Sequence, residues 1–132
     1  MTSGFRTSAI SPHSSLNDNF IHKSNYTPNV STANGALTAI TSVSLEKGVW
    51  IVACNIRFTQ ASATGARGLA INYNSEDTTL VDIGTVASEW VTLNTTMVVE
   101  LSSAQTVTLK GYQTSGGALT ANGSINCVRI KG

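Results

Sequence analysis

The chain has 132 residues, of which 41% are hydrophobic and 11% are charged, and its formal net charge is +1 at pH 7. A chain of this length normally forms one domain around one hydrophobic core, although much of its surface stays uncovered. Charge this sparse argues against a disordered chain, and it provides too little counterion release for general affinity to nucleic acids.

The sequence predicts neither a secretory leader nor a membrane span. The start of the chain, Met1–Ile10, lacks the apolar segment of a signal peptide. No later stretch approaches the roughly 18 consecutive apolar residues that a transmembrane helix requires. We therefore expect a soluble, unprocessed chain without membrane insertion.

Composition divides the chain at residue 33. Residues 1–33 contain both prolines, both histidines and many Ser and Asn residues, without the sustained alternation of a strand or the period of a helix. Such a segment is typical of an extended N-terminal arm or of the end of a preceding shaft, anchored here by Phe20, Ile21 and Tyr26. Residues 34–132 are predicted to form the head domain.

The first predicted strand follows the turn residues Asn34 and Gly35. The odd-numbered positions of residues 37–45 form one face, and the even-numbered positions carry mainly hydroxyl groups. This alternation is typical of a strand with one buried face and one solvent-exposed face. A turn at residues 46–48 is predicted to connect it to the next strand.

The second predicted strand, residues 49–58, is apolar on both faces at its start. Trp50 and the alternate positions after it face one way, and Trp50 is assigned to the core. Val49 and Ile51 face the other way, where an antiparallel sheet usually meets solvent. These two residues therefore predict a cover, which is either the interface of a homotrimer or the N-terminal arm lying over them.

The rest of the chain continues as short apolar segments separated by turn residues. Further strands are predicted at residues 69–73, 80–83, 89–101, 106–113 and 125–130, with turns at 74–77 and 102–104 and a Gly-rich loop at 114–123. Thr and Val dominate residues 88–101, which argues against a helix there. About eight antiparallel strands at this spacing predict an all-β jelly-roll sandwich.

Three runs of this pattern resemble one fold family. The run VSLEKGVWIV at residues 43–52 is similar to the opening of tumour-necrosis-factor-like and complement-type jelly rolls, in which a Gly turn precedes a long apolar strand. The runs VVELSSAQTVTL at 98–109 and INCVRI at 125–130 resemble the final strands of that fold, in the version found at tips of bacteriophage tail fibres and tail needles.

This resemblance implies a homotrimeric receptor-binding head domain at the end of a fibrous shaft. Such a protein is located in the virion, at a tail fibre or tail tip with other tail proteins, after assembly in the host cytoplasm. It attaches by multivalent, non-catalytic binding to a bacterial surface receptor, with a saccharide as the expected ligand. The alternative is a structural trimerisation or capping module of the fibre that has no ligand of its own.

Saccharide recognition would use aromatic rings and planar polar groups on loops or at the rim of the domain. The sequence offers five candidates beside its predicted turns, namely Trp90, Tyr112, Gln113, Arg67 and Tyr73. The alternative for each aromatic residue is burial in the core or in the trimer interface, because large rings are mostly buried.

No enzymatic activity is expected. The sequence contains no nucleophile elbow, zincin motif or phosphate-binding loop. A triad of His13, His22 and Asp18 with a serine would lie in an arm too loose for catalysis. A small glycan-processing enzyme is a third hypothesis, and it would require two carboxylates of the head domain in one pocket.

No metal site and no cofactor are expected either. The acidic turn Glu76-Asp77, with Asp82 nearby, is interpreted as a solvated turn rather than as a calcium site. Cys54 and Cys127 both lie in apolar strands, so two buried, reduced thiols are favoured over a disulfide.

Overall fold

The computed structural model describes residues 21–59, 64–84 and 90–132. In these ranges the chain forms eight β-strands, β1 (His22–Thr32), β2 (Thr38–Leu45), β3 (Gly48–Phe58), β4 (Arg67–Tyr73), β5 (Glu76–Ile83), β6 (Val91–Leu101), β7 (Gln105–Gln113) and β8 (Leu119–Lys131). Within this part of the chain, no helix is long and apolar enough to cross a membrane.

The eight strands form two antiparallel sheets that pack face to face. Sheet I has the strand order β1-β8-β3-β6, and sheet II has the order β2-β7-β4-β5. The chain passes from one sheet to the other at every connection between these strands except the hairpin of β4 and β5. This crossing pattern is that of a jelly roll, and it confirms the predicted all-β sandwich.

The core lies between the two sheets, and the central strand β3 supplies its largest side chains. The inward positions of β3 are all buried as predicted, namely Trp50, Val52, Cys54, Ile56 and Phe58. The Nε1 of Trp50 donates a hydrogen bond to the backbone oxygen of Glu46 at 2.9 Å, so the polar atom of this buried ring has a partner.

The hairpin between β4 and β5 has a tighter turn than the sequence predicted. Only Asn74 and Ser75 separate the two strands, and both have a positive φ, of 53° and 62°. Two consecutive left-handed residues form the type I′ turn, whose twist matches that of the flanking strands. The strand β5 therefore begins at Glu76, earlier than expected.

A bulge in β2 overturns part of the predicted alternation. Ile40 and Thr41 are both buried, and the pairing of β2 with β7 shifts register between Ala39 and Thr41. An extra residue in one strand reverses which side chains face the core. Leu37 and Ala39 therefore do not share the inward face of the rest of the strand, and Leu37 is 37% exposed.

The described part of the predicted N-terminal arm is the edge strand β1. It pairs with β8 from His22 to Thr32, with a register shift between Thr27 and Val30. An edge strand is largely exposed and tolerates Pro28, which explains why the sequence shows no strand alternation here. Residues 1–20, including the predicted anchor Phe20, lie outside the described residues, and the division at residue 33 stays a prediction.

The two ends of the sandwich differ in their connections. The strand ends that are joined by the longer connections, β1–β2, β3–β4, β5–β6 and β7–β8, all lie at one end, which we call the long-loop end. The short turns at residues 46–47, 74–75 and 102–104 lie at the opposite end together with His22 and Lys131, and we call it the terminal end. The Gly-rich loop is shorter than predicted, because β8 already begins at Leu119.

Candidate functional site

The structure brings four of the five predicted ligand-binding residues to the long-loop end. Arg67 begins β4, Tyr112 and Gln113 end β7, and Trp90 directly precedes β6. Tyr73 instead ends β4 at the terminal end, where it is half-buried and packs against the core. The length of sheet II thus separates Tyr73 from the other candidates.

Gln113 is completely buried and holds the loops of this end together. Its Nε2 donates hydrogen bonds to the backbone oxygens of Thr32 at 3.1 Å and Gly117 at 2.8 Å, and its Oε1 accepts one from the Ser115 amide at 2.7 Å. A buried side chain that makes all its hydrogen bonds within the protein cannot contact a ligand at the rim of the domain. The expected ligand contact of Gln113 is therefore replaced by a structural role.

Arg67 is also completely buried, so it does not offer the exposed planar group that the sequence predicted. Its Nη1 donates to the backbone oxygens of Gly65 at 3.1 Å and Ala66 at 3.0 Å, and its Cζ lies 6.0 Å from the centroid of the Phe58 ring. Its Nε and Nη2 have no hydrogen-bond partner among the described residues. Burial lowers the pKa of this guanidinium, because the charged form loses its hydration.

Trp90 is the exposed aromatic residue that the sequence predicted at this end, with 49% of its surface accessible. The Arg57 guanidinium stacks on it, with Cζ 4.2 Å from the ring centroid. Arg57 pairs with Thr92 across β3 and β6, and this pairing brings its side chain beside Trp90. The sequence showed that Arg57 faces outward on its strand, but it did not show which strand would lie beside it.

Outward side chains on sheet I extend this surface toward β1. Tyr26, Ser124, Asn55 and Asn94 are successive cross-strand partners in one row across the sheet. Asn55 donates a side-chain hydrogen bond to Asn94, and Tyr26 is 59% exposed. We define the polar half of sheet I as Tyr26, Asn55, Asn94, Asn122, Arg57 and Trp90.

The other half of the same face is apolar and lies toward the terminal end. Ile51 faces Val98 on β6 and Val128 on β8, and these three residues with Val49 define the apolar half. Val98 is 61% exposed and Ile51 is 37% exposed. The described N-terminal residues pair beside β8 instead of lying over this face, so among the described residues nothing covers the predicted interface pair.

Tyr112 lies on the other side of the long-loop end, on the outer face of sheet II. It lines an apolar depression of about 240 Å³ together with Gly35, Ala36 and Leu37. Its direct partner across β4 is Gly68, which leaves the ring partly accessible. Tyr112 and Trp90 thus belong to separate surfaces, and the sandwich lies between them.

The acidic turn that was considered for calcium has its own partners. Asp77 accepts a hydrogen bond from Asn72 at 2.8 Å and lies 3.0 Å from the Lys110 ammonium. The Asn72 hydrogen bond and the Lys110 contact hold the pKa of Asp77 below its ordinary value. No group of three metal-ligating side chains occurs within the described ranges. His22 is exposed on β1, whereas His13 and Asp18 fall in the undescribed part of the chain.

Cys54 and Cys127 are free and buried, on the neighbouring strands β3 and β8. Burial raises the pKa of Cys54 to about 12, with a smaller contribution from Cys127. Burial likewise raises the pKa of Cys127 to about 11. Both thiols are therefore protonated and enclosed at neutral pH, which makes them packing residues rather than nucleophiles.

The sequence matches no protein-family model, and a comparison with curated proteins finds no match. Solved structures do share its fold. A chain of infectious bursal disease virus, strain Gx, superposes with a TM-score of 0.64 at 12% identity, covering 85% of this chain and 32% of that chain. This chain thus spans about a third of that viral protein.

Two further structures match over more of their own length. The tumour necrosis factor Eiger of S. frugiperda has a TM-score of 0.60 at 12% identity, covering 85% of this chain and 93% of that one. The vertex protein P5 of PRD1 has a TM-score of 0.54 at 16% identity, covering 83% of this chain and 72% of that one. These likenesses confirm the jelly-roll fold that the sequence resembled, and a shared fold does not by itself carry function.

Proposed function

We propose that this chain is the homotrimeric receptor-binding head of a bacteriophage tail fibre or tail tip. It attaches to a saccharide on the bacterial surface by multivalent, non-catalytic contacts. The observation that carries the proposal is the division of one sheet face into an apolar half and a polar half with two exposed aromatic rings. The viral proteins among the structures of similar fold support a virion setting.

The apolar half is the proposed contact between subunits. Val98 and Ile51 are direct cross-strand neighbours, and both are substantially exposed in the single chain. Burying such area contributes about 25 cal/mol per Å² of free energy. Three identical copies around one axis can cover the patch of each subunit with an equivalent surface of the next.

The trimer is tested by placing a charge in the apolar half. V98D should convert the trimer to monomers in light scattering at micromolar concentration, because a carboxylate buried in an apolar interface is strongly unfavourable. S44D is the matched control, since Ser44 is an exposed position of sheet II. A wild-type chain that is monomeric would contradict the proposal.

The polar half is the proposed receptor surface. Trp90 and Tyr26 offer aromatic faces, and Asn94 and Asn122 offer side-chain NH2 donors, since their Oδ1 atoms already accept hydrogen bonds within the protein. This half lies toward the long-loop end, away from His22, where the described chain enters the domain. Three such surfaces in one rigid trimer would raise avidity for a receptor that repeats on a cell surface.

Receptor binding is tested by cell adsorption and by a glycan array. W90A should reduce both adsorption and glycan binding, because it removes the exposed ring while leaving the core intact. K47A, at an exposed position of the terminal end, is the control and should bind normally. Unchanged adsorption of W90A would show that Trp90 does not contact the receptor.

The second candidate is a trimerisation or capping module without a ligand. It is favoured by the hydrogen bond that Asn55 donates to Asn94, because this bond already uses the Oδ1 of Asn94 within the protein. Such a module should form the same trimer but bind nothing on the array, and the W90A and wild-type chains should then be indistinguishable in adsorption.

A further inference from the structure

The guanidinium of Arg57 has one partner among the described residues, the ring of Trp90. Its Cζ lies over the Trp90 ring, 4.2 Å from the centroid. No salt bridge or hydrogen bond of its side chain occurs among the described residues. Stacking on an aromatic ring orients the planar fork and leaves its edges free for hydrogen bonds.

Among the residues that the structure describes, no carboxylate is a cross-strand neighbour of this guanidinium. The outward neighbours of Arg57 across the sheet are Thr92 on β6 and Asn122 on β8, which are both neutral. Asp82, a carboxylate of the long-loop end, is the partner of Gly68 and lies on the outer face of sheet II, on the other side of the sandwich. Glu100, on β6, is the direct partner of Val49 and so lies beside the apolar half, toward the terminal end.

Among the described cations away from the long-loop end, two are paired with carboxylates, whereas Lys47, Arg129 and Lys131 form no described salt bridge. Lys23 lies 3.4 Å from Glu46, and Lys110 lies 3.0 Å from Asp77. At the long-loop end, Arg67 is a second guanidinium without a carboxylate partner among the described residues, although it is buried. On the sheet I side of the long-loop end, the described residues therefore carry the positive charge of Arg57 and no negative charge.

We infer that the saccharide bound by the polar half is acidic, and that Arg57, stacked on Trp90, binds its carboxylate. The inference rests on the proposed function and narrows its ligand to sugars such as uronic or sialic acids. A guanidinium presents parallel N–H groups that match the two oxygens of a carboxylate, and such bidentate pairs are stronger than neutral hydrogen bonds. Asn94 and Asn122 flank the pair and can bind the hydroxyls of the sugar ring.

The test is a glycan array that carries acidic glycans, the methyl esters of the same glycans, and neutral glycans. Wild-type trimer should bind an acidic glycan and lose about tenfold or more in affinity on its methyl ester, because the ester cannot form the charge-assisted pair with the guanidinium. R57Q should show the same loss for the acid and no change for the ester. R57K keeps the charge but lacks the planar fork, so its affinity for the acidic glycan should lie between those of the wild type and R57Q.

Two control variants distinguish direct pairing of Arg57 with the carboxylate from an effect of the net charge of the protein. K131Q removes the same charge from the terminal end and should leave acidic-glycan binding unchanged. Glu89 lies outside the described residues, and E89Q should retain or strengthen binding, because it removes a negative charge next to Trp90 in the sequence. Loss of binding in E89Q, or an equal loss in K131Q and R57Q, would overturn the inference.

The outcome also distinguishes this inference from the proposed function. Binding of neutral glycans that depends on Trp90 but not on Arg57 would overturn the acidic ligand and leave the receptor-binding head intact. Binding of no glycan, together with unimpaired trimers, would instead contradict saccharide recognition itself and, with it, the acidic ligand.

Discussion

Arg67 and Gln113 are direct cross-strand partners at the long-loop end, and both side chains are completely buried. They differ in how their polar atoms are satisfied. Gln113 uses both ends of its amide within the protein, whereas Arg67 keeps two nitrogens without a partner among the described residues. The two residues therefore predict opposite effects of substitution by an apolar side chain.

Replacing Gln113 should destabilise the domain. In Q113L the buried backbone oxygen of Thr32 loses its donor and the Ser115 amide loses its acceptor, whereas the Gly117 oxygen keeps the Ser115 hydroxyl as a donor. Each unpaired buried group costs about 1 to 3 kcal/mol, so thermal or denaturant unfolding should show a loss of at least about 2 kcal/mol. Q105L is the matched control, because the Gln105 amide bonds Asn74 at an exposed turn and should cost much less. Equal losses in the two variants would contradict the structural role of Gln113.

Replacing Arg67 by methionine should leave the domain as stable as before or make it more stable by about 1 kcal/mol. The substitution removes a buried charge without a described carboxylate partner, and its desolvation costs more than the two hydrogen bonds of Nη1 to Gly65 and Ala66 contribute. Calorimetry of R67M tests this expectation. R67A, which leaves a cavity, should be destabilised, and a clear loss of stability in R67M would show that the charge has a partner.

Gly123 should tolerate no side chain. A Cβ at this position would lie 2.5 Å from Cγ2 of Ile40 and 3.0 Å from Cδ2 of Leu109, inside the packed core between the sheets. G123A should cost about 1 to 3 kcal/mol of unfolding free energy through overpacking. G117A is the control, because a Cβ there meets no atom within 4 Å, and it should be close to neutral. An unchanged unfolding free energy in G123A would mean that the two sheets can separate locally without loss of stability.

Stability should fall at alkaline pH because of the two buried thiols. The pKa values of Cys54 and Cys127 are raised from 9.0 to about 12 and about 11. Above pH 9 the unfolded chain therefore releases these protons while the folded chain retains them, so unfolding becomes easier by about 1.4 kcal/mol per pH unit for each thiol.

Denaturant titrations between pH 8 and 10.5 should show this decline, and the C54A/C127A variant should show a shallower one than wild type. The same burial predicts that a thiol reagent labels the native protein only at the rate of unfolding. Rapid labelling of the native chain would contradict the burial of the two thiols. An unchanged slope of unfolding free energy against pH in the double variant would contradict it as well.

The sequence alone determined the class of fold and the centre of the core. The alternation from Trp50 to Phe58 required a strand buried on one side, because successive side chains of a strand face opposite ways. The apolar second face at Ile51 could likewise be recognised from the residues. These features depend on the spacing of residues along one strand, and this spacing can be read directly from the sequence.

Only the tertiary structure decided which residues form the candidate site. Arg67 and Gln113 have the polarity of binding residues, but strand pairing turns both toward the interior. Arg57 became part of the site because β6 lies beside β3, and the bulge near Ile40 reversed which residues of β2 face inward. Pairing and register join segments far apart in the chain, so the identity of a side chain determines its chemistry, while its neighbours are determined only when the sheets form.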